Sequence, residues 1–228
     1  FLLTFIFSSQ LHAQDVAATK AINDLVTQNA AKVGFSSKDL KNYRVSDSYT
    51  DKLSGATIVY LLQTFKGIDV FNSIQTAAFK NGTLVSIAGK RVADMENLVN
   101  SKDGLASFTA GQSVKAAAEH LKITAPGLPV VLKQMNANKE IEFGDMGIAS
   151  SNIKSKLLWV QDDVTGKVSL SWQVQLQPKG FSDLWLVNVD ALKGGVISKI
   201  NLNVICDWSK PVHQSPLRSE YITPAAGS

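Results

Sequence analysis

The chain has 228 residues, of which 45% are hydrophobic and 18% are charged. This balance excludes wholesale disorder and a fibrous chain, and it predicts one or two compact domains with a substantial core. The formal net charge is only +4, and the basic residues are scattered rather than clustered, so nucleic acid is not an expected partner. With one Cys and three His, the chain lacks the thiols for an internal disulfide and the ligands for a self-sufficient structural zinc site.

The first residues have the composition of an export signal. An uncharged apolar run, Phe1–Phe7, is followed by polar and small residues up to Ala13, which is typical of the apolar region and cleavage site of a secretory signal peptide. We therefore expect residues 1–13 to be the remnant of a signal, with Phe rather than Met in first place because the sequence begins inside a gene. The protein is then secreted, periplasmic or in the cell envelope, with no membrane partner after signal removal. The alternative is a buried first strand.

The mature chain begins with a helix and a hairpin-rich region. From Asp15 to Val33, apolar residues recur at three- and four-residue spacings, which predicts an amphipathic helix that Gly34 ends. Two turns, Lys66-Gly67 and Asn81-Gly82, then separate segments rich in β-branched and aromatic residues, which predicts an antiparallel meander. The predicted strands are Tyr43–Val45, Ala56–Phe65, Val70–Phe79 and Leu84–Ala88.

A second helix and sheet follow a polar segment, Asp94–Gly104, that we interpret as a linker or a long loop. Thr109 and Gln112 have the spacing of a capping box, which predicts a helix ending near Leu121. The segments after it alternate with Gly-containing turns and predict another antiparallel sheet. Its predicted strands are Pro129–Met135, Leu157–Gln161, Val168–Gln177, Asp183–Asp190 and Val196–Val204.

A repeated spacing links the two sheets. Lys66-Gly67 precedes Gly82 by 15 positions, Lys179-Gly180 precedes Gly195 by the same 15, and the offset between the pairs is 113 residues. A shared offset is typical of a repeated structural unit. Two helix-plus-sheet modules are one interpretation, and coincidence between two hairpin-rich segments is the other.

The motifs of the common enzyme classes are missing. The sequence contains no His-Glu-x-x-His, Gly-x-Ser-x-Gly, Walker or Gly-x-Gly-x-x-Gly pattern, so the simplest metalloprotease, hydrolase, nucleotide and dinucleotide sites are excluded. After loss of residues 1–13, the imidazoles left are those of His120 and His213. We predict no catalytic residue and no metal ligand in this segment, and an enzyme of its own is the least favoured class.

The single residues that could carry chemistry have simpler interpretations. His120 suits the C-terminal end of a helix, and His213 lies in a Pro-rich tail. Cys206 could ligate a partner's zinc as a thiolate, pair with a cysteine outside this sequence, or be an ordinary buried or unpaired thiol. Three aspartates without EF-hand spacing are expected to be loop carboxylates rather than calcium ligands, and three tryptophans on predicted strands are expected in the core rather than on a sugar-binding surface. These residues are Asp145, Asp162 and Asp163, and Trp159, Trp172 and Trp185.

Residues in the first sheet resemble a known family. The segment Tyr60–Ser73 carries Gln63, Phe65, Gly67 and Val70 at the positions where the fungalysin/thermolysin propeptide domain has a Gln, an aromatic residue, a Gly and an aliphatic residue. The segment Asn81–Gly89 resembles the second turn and strand of that domain. The second sheet is more loosely similar to the PepSY-like portion of fungalysin-type pro-regions, through Leu158-Trp159, Leu170–Leu176 and Trp185–Ala191.

The resemblance implies an α+β fold of two helix-plus-antiparallel-sheet modules, cystatin/PepSY-like. Together with the predicted signal, the resemblance divides the chain into four parts. These are a signal remnant at 1–13, a propeptide module at 14–104, a PepSY-like module at 105–208 and a flexible Pro-rich connector at 209–228. It also nominates Gln63, Phe65, Gly67 and Val70 as interface or structural positions.

The implied function is that of a pro-region of a secreted zinc metallopeptidase of the fungalysin type. It would act as intramolecular chaperone and inhibitor of a cognate metallopeptidase domain that this sequence does not contain. No cofactor is expected here, because the zinc would be bound by that peptidase domain. The alternative is a free-standing secreted module that inhibits a protease or binds the cell envelope.

Overall fold

The computed structural model describes residues 10–135, 139–203 and 219–221, and the side chains of residues 18–135 and 139–203. The chain divides into two compact units, which we call unit 1 (residues 1–93) and unit 2 (residues 94–228). Both contain helices and antiparallel strands, so the α+β class is confirmed. Unit 1 contains α1 (Gln10–Gln28), α2 (Ala30–Val33), β1 (Tyr43–Thr50), β2 (Thr57–Phe65), β3 (Ile68–Lys80) and β4 (Thr83–Gly89), and unit 2 contains α3 (Met95–Leu98), α4 (Ala110–His120), β5 (Val131–Met135), β6 (Glu140–Phe143), β7 (Ile153–Gln161), β8 (Val168–Leu176), β9 (Trp185–Asp190), β10 (Val196–Asn201) and β11 (Ser219–Tyr221).

The sheet of unit 1 is the meander that the sequence predicts. Strands β1 to β4 pair antiparallel in chain order. Strand β1 is longer than predicted, because Tyr43 to Thr50 all lie along β2, with a bulge after Val45. The two helices cover one face of this sheet, where the largest buried residues are apolar. The core comprises Val26, Val33, Phe35, Val59, Leu61, Ala77 and Phe79.

Asn29 divides the single helix predicted over Asp15–Val33 into α1 and α2. Its side chain is 6% exposed and reaches the β3–β4 hairpin, where Nδ2 donates to the carbonyl oxygen of Gly82 (2.9 Å) and Oδ1 accepts from the N–H of Leu84 (3.0 Å). These bonds satisfy backbone groups of the hairpin with a helix side chain. The helix break is therefore the result of a tertiary contact that periodicity could not predict.

Three hairpin connections share one loop design. In each, an aspartate carboxylate accepts hydrogen bonds from two backbone N–H groups of its own loop, and a glycine four residues later lies at positive φ and donates to the carbonyl of that aspartate. Such carboxylates accept hydrogen bonds from backbone N–H groups that have no backbone acceptor in a tight loop. The loops are Asp51–Gly55 between β1 and β2, Asp162–Gly166 between β7 and β8, and Asp190–Gly194 between β9 and β10.

The glycines with the repeated spacing fall at corresponding connections. Gly67 and Gly82 lie in the turns after β2 and β3, and Gly180 and Gly195 lie in the connections after β8 and β9. Within each unit these are the second and third connections of a four-strand antiparallel run, β1 to β4 or β7 to β10. The division into propeptide and PepSY-like modules remains a prediction.

Helix α4 of unit 2 begins as predicted. The Thr109 hydroxyl accepts from the N–H of Gln112, and the Gln112 side chain accepts from the N–H of Thr109, which is the reciprocal capping box that fixes a helix start. Val114, Ala117 and Ala118 form the fully buried face of α4, which packs against β7, β8 and β9.

The sheet of unit 2 runs in the order β5-β6-β7-β8-β9-β10-β11, with every neighbouring pair antiparallel. The sequence prediction omitted β6 and the short α3, and it began β7 four residues late, at Leu157 rather than Ile153. Unit 2 begins at Asp94, and the module boundary after Gly104 stays a prediction. The anchor of this segment is Asn100, whose N–H donates to Val168 (2.9 Å) and whose Oδ1 accepts from the N–H of Leu170 (2.8 Å).

The two ends of the chain carry predictions that lie largely outside the described residues. Residues 1–9 of the predicted signal are among these, and α1 begins at Gln10, before the predicted cleavage after Ala13. Cys206 and His213 also lie outside the described part. Within the predicted connector, residues 219–221 are described and form β11 against β10. The signal and the flexible connector therefore stay predictions.

Candidate functional site

The candidate site is the β2–β3 hairpin of unit 1, where the family resemblance is concentrated. Lys66 (φ 52°) and Gly67 (φ 70°) are the central residues of a two-residue turn between the paired Phe65 and Ile68. Positive φ at both central positions defines a type I′ turn, whose twist matches that of the strands it joins. The turn predicted from Lys66-Gly67 is therefore confirmed.

Gln63 is the hydrogen-bonding centre of this region. Its Nε2 donates to the carbonyl oxygen of Val92 (2.7 Å), and its Oε1 accepts from the N–H of Val92 (2.8 Å) and from the hydroxyl of Ser73 (2.6 Å). Gln63 and Ser73 are 8% and 2% exposed. A buried amide with its hydrogen bonds satisfied fixes the chain around it, because every alternative arrangement leaves a buried polar group unpaired.

A local irregularity in β3 brings Ser73 to Gln63. The register between β2 and β3 shifts between Leu62, which lies opposite Ile74, and Thr64, which lies opposite Asp69. Strand β3 therefore has extra residues at this point, and Asn72 among them adopts a left-handed conformation with φ 55°. Bulges of this kind redirect side chains, and here the bulged segment supplies a hydroxyl to the Gln63 oxygen.

The four residues nominated by the resemblance lie close in sequence but differ in exposure. Phe65 and Val70 are 6% and 1% exposed, Gln63 is also buried, and only Gly67 is on the surface. Their positions favour a structural role, and the interface assignment remains a prediction. The exposed large apolar side chains of β1, β3, β4 and the β1–β2 loop, which a partner could contact, are Tyr49, Leu53, Ile74 and Val85.

An ion pair that the sequence did not suggest lies beside the Gln63 network. The guanidinium of Arg91 is hydrogen-bonded to Asp39, donates to the carbonyl oxygen of Gly34 (2.7 Å) and lies 5.5 Å from the ring centroid of Phe35. Burial alone would raise the pKa of Asp39, but hydrogen bonds from Ser36 and the charge of Arg91 outweigh it and lower that pKa. Arg91, Asp39 and Phe35 line one surface depression together with Gln63.

The tryptophans of unit 2 support the packing interpretation. Trp159 is fully buried, and Trp172 is 9% exposed and donates from Nε1 to the carbonyl oxygen of Phe108 (2.6 Å). Trp185 is half-buried, with the ammonium of Lys199 5.1 Å from its ring centroid. Two of the three rings are thus inaccessible, so the three do not form a shared surface for stacking on a sugar.

The candidate imidazole and carboxylates have structural surroundings. His120 is half-buried at the end of α4, and burial, followed by the charges of Lys199 and Lys122, lowers its pKa. Asp162 caps its hairpin loop, where the N–H of Thr165 makes the main contribution to a lowered pKa. Asp145 caps another loop by accepting from the N–H of Gly147 (2.9 Å).

The described residues contain neither a candidate metal site nor a candidate membrane-spanning helix. Within residues 10–135, 139–203 and 219–221, no group of three or more His, Cys, Asp or Glu side chains is arranged to hold a metal ion. In the same part of the chain, none of the helices combines the length and apolar character needed to cross a bilayer.

Comparison with known proteins locates the family signal in unit 1. Residues 41–90 match the Fungalysin/Thermolysin Propeptide Motif, a segment that contains β1 to β4, Gln63 and Ser73 and the type I′ turn, and that ends before Val92. The resemblance predicted from Gln63, Phe65, Gly67 and Val70 is thereby confirmed, and the match supports a role in a protease pro-region.

A solved structure is similar over more of the chain. It is described as the Bacillus megaterium YpeB C-terminal domain, and it aligns with a TM-score of 0.33 and 10% sequence identity over 80% of this chain. The aligned region spans 65% of the length of that chain.

Proposed function

We propose that this chain is the pro-region of a secreted fungalysin-like zinc metallopeptidase and acts as its intramolecular chaperone and inhibitor. The observation that carries the proposal is the propeptide motif at residues 41–90. Proteins with this motif are usually secreted proteases, and the apolar run Phe1–Phe7 is consistent with export. The zinc of such an enzyme would be bound by its peptidase domain rather than by this chain.

The structure of unit 1 suits a role in shape recognition. A partner's cleft can be occluded by complementary surface alone, and a covalent tether raises the effective concentration of the inhibitor. The Gln63 network and the type I′ turn hold the hairpins in one arrangement, which reduces the entropy lost when a partner binds. No residue of this chain needs to take part in bond breaking.

Substitution of exposed apolar side chains tests contact with a partner better than substitution of the buried Phe65 does. Truncation of Phe65 would damage the core, since that ring is 6% exposed, whereas Tyr49 and Ile74 are 52% and 44% exposed. Variants Tyr49→Ser and Ile74→Thr should leave the fold intact and weaken any interface on this side of the sheet. Thr124→Ser, in an exposed loop of unit 2, is a matched control.

The decisive experiment has two stages. The gene is first read beyond the codon for Ser228 for a His-Glu-x-x-His segment. The 228-residue chain is then titrated against that peptidase domain, and residual activity and activity recovered after denaturation are measured. We expect inhibition and improved refolding at micromolar concentrations, both reduced by the Tyr49 and Ile74 variants. If neither activity nor recovery changes, in trans or tethered, the pro-region proposal fails and a free-standing binding module replaces it.

A further inference from the structure

The outer strand of the unit 2 sheet exposes an unusual amount of apolar surface. Val130, Val131 and Leu132 are consecutive and are 72%, 53% and 57% exposed, and Leu128 just before them is 64% exposed. Leu128 and Val130 precede β5, and Val131 and Leu132 begin it, so the apolar surface is concentrated at the start of the strand. Within the described part of the chain, β5 pairs with β6 and with no other strand.

The hydrogen-bonding groups of the Val131 backbone point away from β6. Val131 lies opposite Phe143, and the N–H of Gly144 donates to the carbonyl oxygen of Val130 (3.3 Å). A ladder bond between the residues flanking a pair identifies that pair as non-hydrogen-bonded. The N–H and C=O of Val131 itself therefore point to the open side of β5, where they can pair with another strand.

The side-chain rows that cross β7, β6 and β5 end at this edge. On one face, Ile153, Phe143 and Val131 lie opposite one another in register, and their exposures rise from 0% and 1% to 53% at the edge. The first two are covered, and among the described residues no strand lies beside the third on its outer side. An added strand would continue this row with an apolar side chain.

The second face carries charges that alternate from strand to strand. Lys154 of β7 lies opposite Glu142 of β6, which lies opposite Lys133 of β5. Oppositely charged residues that face each other across a ladder stabilise the pairing, and like charges oppose it. The next position in this row, beyond Lys133, therefore favours an acidic residue.

We propose that the open edge of β5 is a binding site for an extended segment of another polypeptide, which adds to the sheet as a further strand with an apolar residue against Val131 and an acidic residue against Lys133. Because a bulge at Leu132 puts Val131 and Lys133 on opposite faces, these two partner residues are adjacent in the segment. Pro129 before the strand and the charge of Lys133 discourage unselective edge pairing, so recognition depends on the match. The proposal does not depend on the pro-region function.

The probe is a fluorescent, end-blocked heptapeptide in which valine alternates with threonine and one inner threonine is replaced by glutamate. Its binding to the 228-residue chain is followed by fluorescence anisotropy. We expect saturable binding that is about two- to fivefold weaker when the glutamate is replaced by lysine. Lys133→Glu should reverse this preference, and the same peptide with N-methylated amides should not bind.

Val131→Pro tests the edge from the protein side. The N–H that proline removes is directed outward, so the sheet keeps its internal bonds, and circular dichroism should show an unchanged fold. Peptide affinity should fall about tenfold or more.

Equal binding of the N-methylated peptide would overturn the proposal, and so would an unchanged charge preference in Lys133→Glu. Concentration-dependent dimerisation that Val131→Pro abolishes would also overturn it, because the edge would then pair with a second copy. If Val131→Pro does not fold, the comparison of the glutamate, lysine and N-methylated peptides and the Lys133→Glu variant still test the proposal.

Discussion

The side chain of Gln63 pairs with the backbone of Val92 through two hydrogen bonds, donating to its carbonyl oxygen and accepting from its N–H. The amide thus occupies the place that a neighbouring strand would take in a ladder. It ties the segment after β4 back to β2, across 29 positions of sequence. The chain leaving unit 1 is consequently held by a side chain rather than by sheet pairing.

Gln63→Leu should destabilise unit 1 by about 2 to 4 kcal/mol, because it leaves the N–H and C=O of Val92 buried without their partner. It also removes the nearer acceptor of the Ser73 hydroxyl, which keeps the carbonyl oxygen of Lys90 at 3.3 Å. Hydrogen exchange of peptides covering β2 and β4 measures this loss. All four tryptophans lie beyond residue 93, so tryptophan fluorescence follows unit 2 separately. Gln28→Leu, at an exposed position, is the control and should stay within about 0.5 kcal/mol. A similar effect of both variants would mean that the network is not stabilising.

Gly67→Val should destabilise the first sheet by about 1 to 3 kcal/mol, since a β-branched residue resists the positive φ of this turn position. The space around Gly67 is open, so the cost is conformational and not steric. Chemical denaturation followed by far-ultraviolet circular dichroism measures it. Gly195→Val is the matched control, because Gly195 also has open space but no left-handed φ. Equal stability of the two variants would contradict the turn assignment.

The Asp39–Arg91 pair should make unit 1 less stable in acid. The pKa of Asp39 is lowered in the folded state, so its contribution is fully present above the unfolded pKa of about 3.9 and is lost as the pH falls through the folded value. For a partly exposed pair we expect about 1 kcal/mol or less. Asp39→Asn should flatten the dependence of the melting temperature on pH between about 2 and 5. If the melting temperature of Asp39→Asn still falls with pH as that of the unsubstituted chain does, other carboxylates cause the loss of stability in acid.

The purified chain should show no peptidase activity with or without zinc. A catalytic zinc site needs three protein ligands and a general base, and the pKa of His120 at the end of α4 is lowered by burial and then by the cations Lys199 and Lys122. Casein cleavage by a homogeneous preparation measures this. His120→Ala should behave as the unsubstituted chain does. Zinc-dependent cleavage that a substitution of His120 or His213 abolishes would show that the chain is an enzyme.

Local signals in the sequence determined the start of α4 and the turn between β2 and β3. The capping box at Thr109 and Gln112 involves residues three positions apart, and the Lys66-Gly67 turn requires only that its central residues accept positive φ. Such features depend on short-range sterics and hydrogen bonding, so they can be predicted without knowledge of the rest of the chain. Four of the residues that carried the propeptide resemblance, Gln63, Phe65, Gly67 and Val70, also lie within one hairpin.

Only the tertiary structure decided which hydrogen-bond partners Gln63 and Asn29 have. Gln63 was nominated as an interface or structural position, and its partners, Ser73 and Val92, depend on a bulge in β3 and on the path of the chain after β4. Asn29 interrupts a helix whose periodicity continues past it, because the β3–β4 hairpin needs its side chain. Each contact joins residues distant in sequence, and hydrogen bonds of that kind have no periodicity along the chain by which they could be recognised.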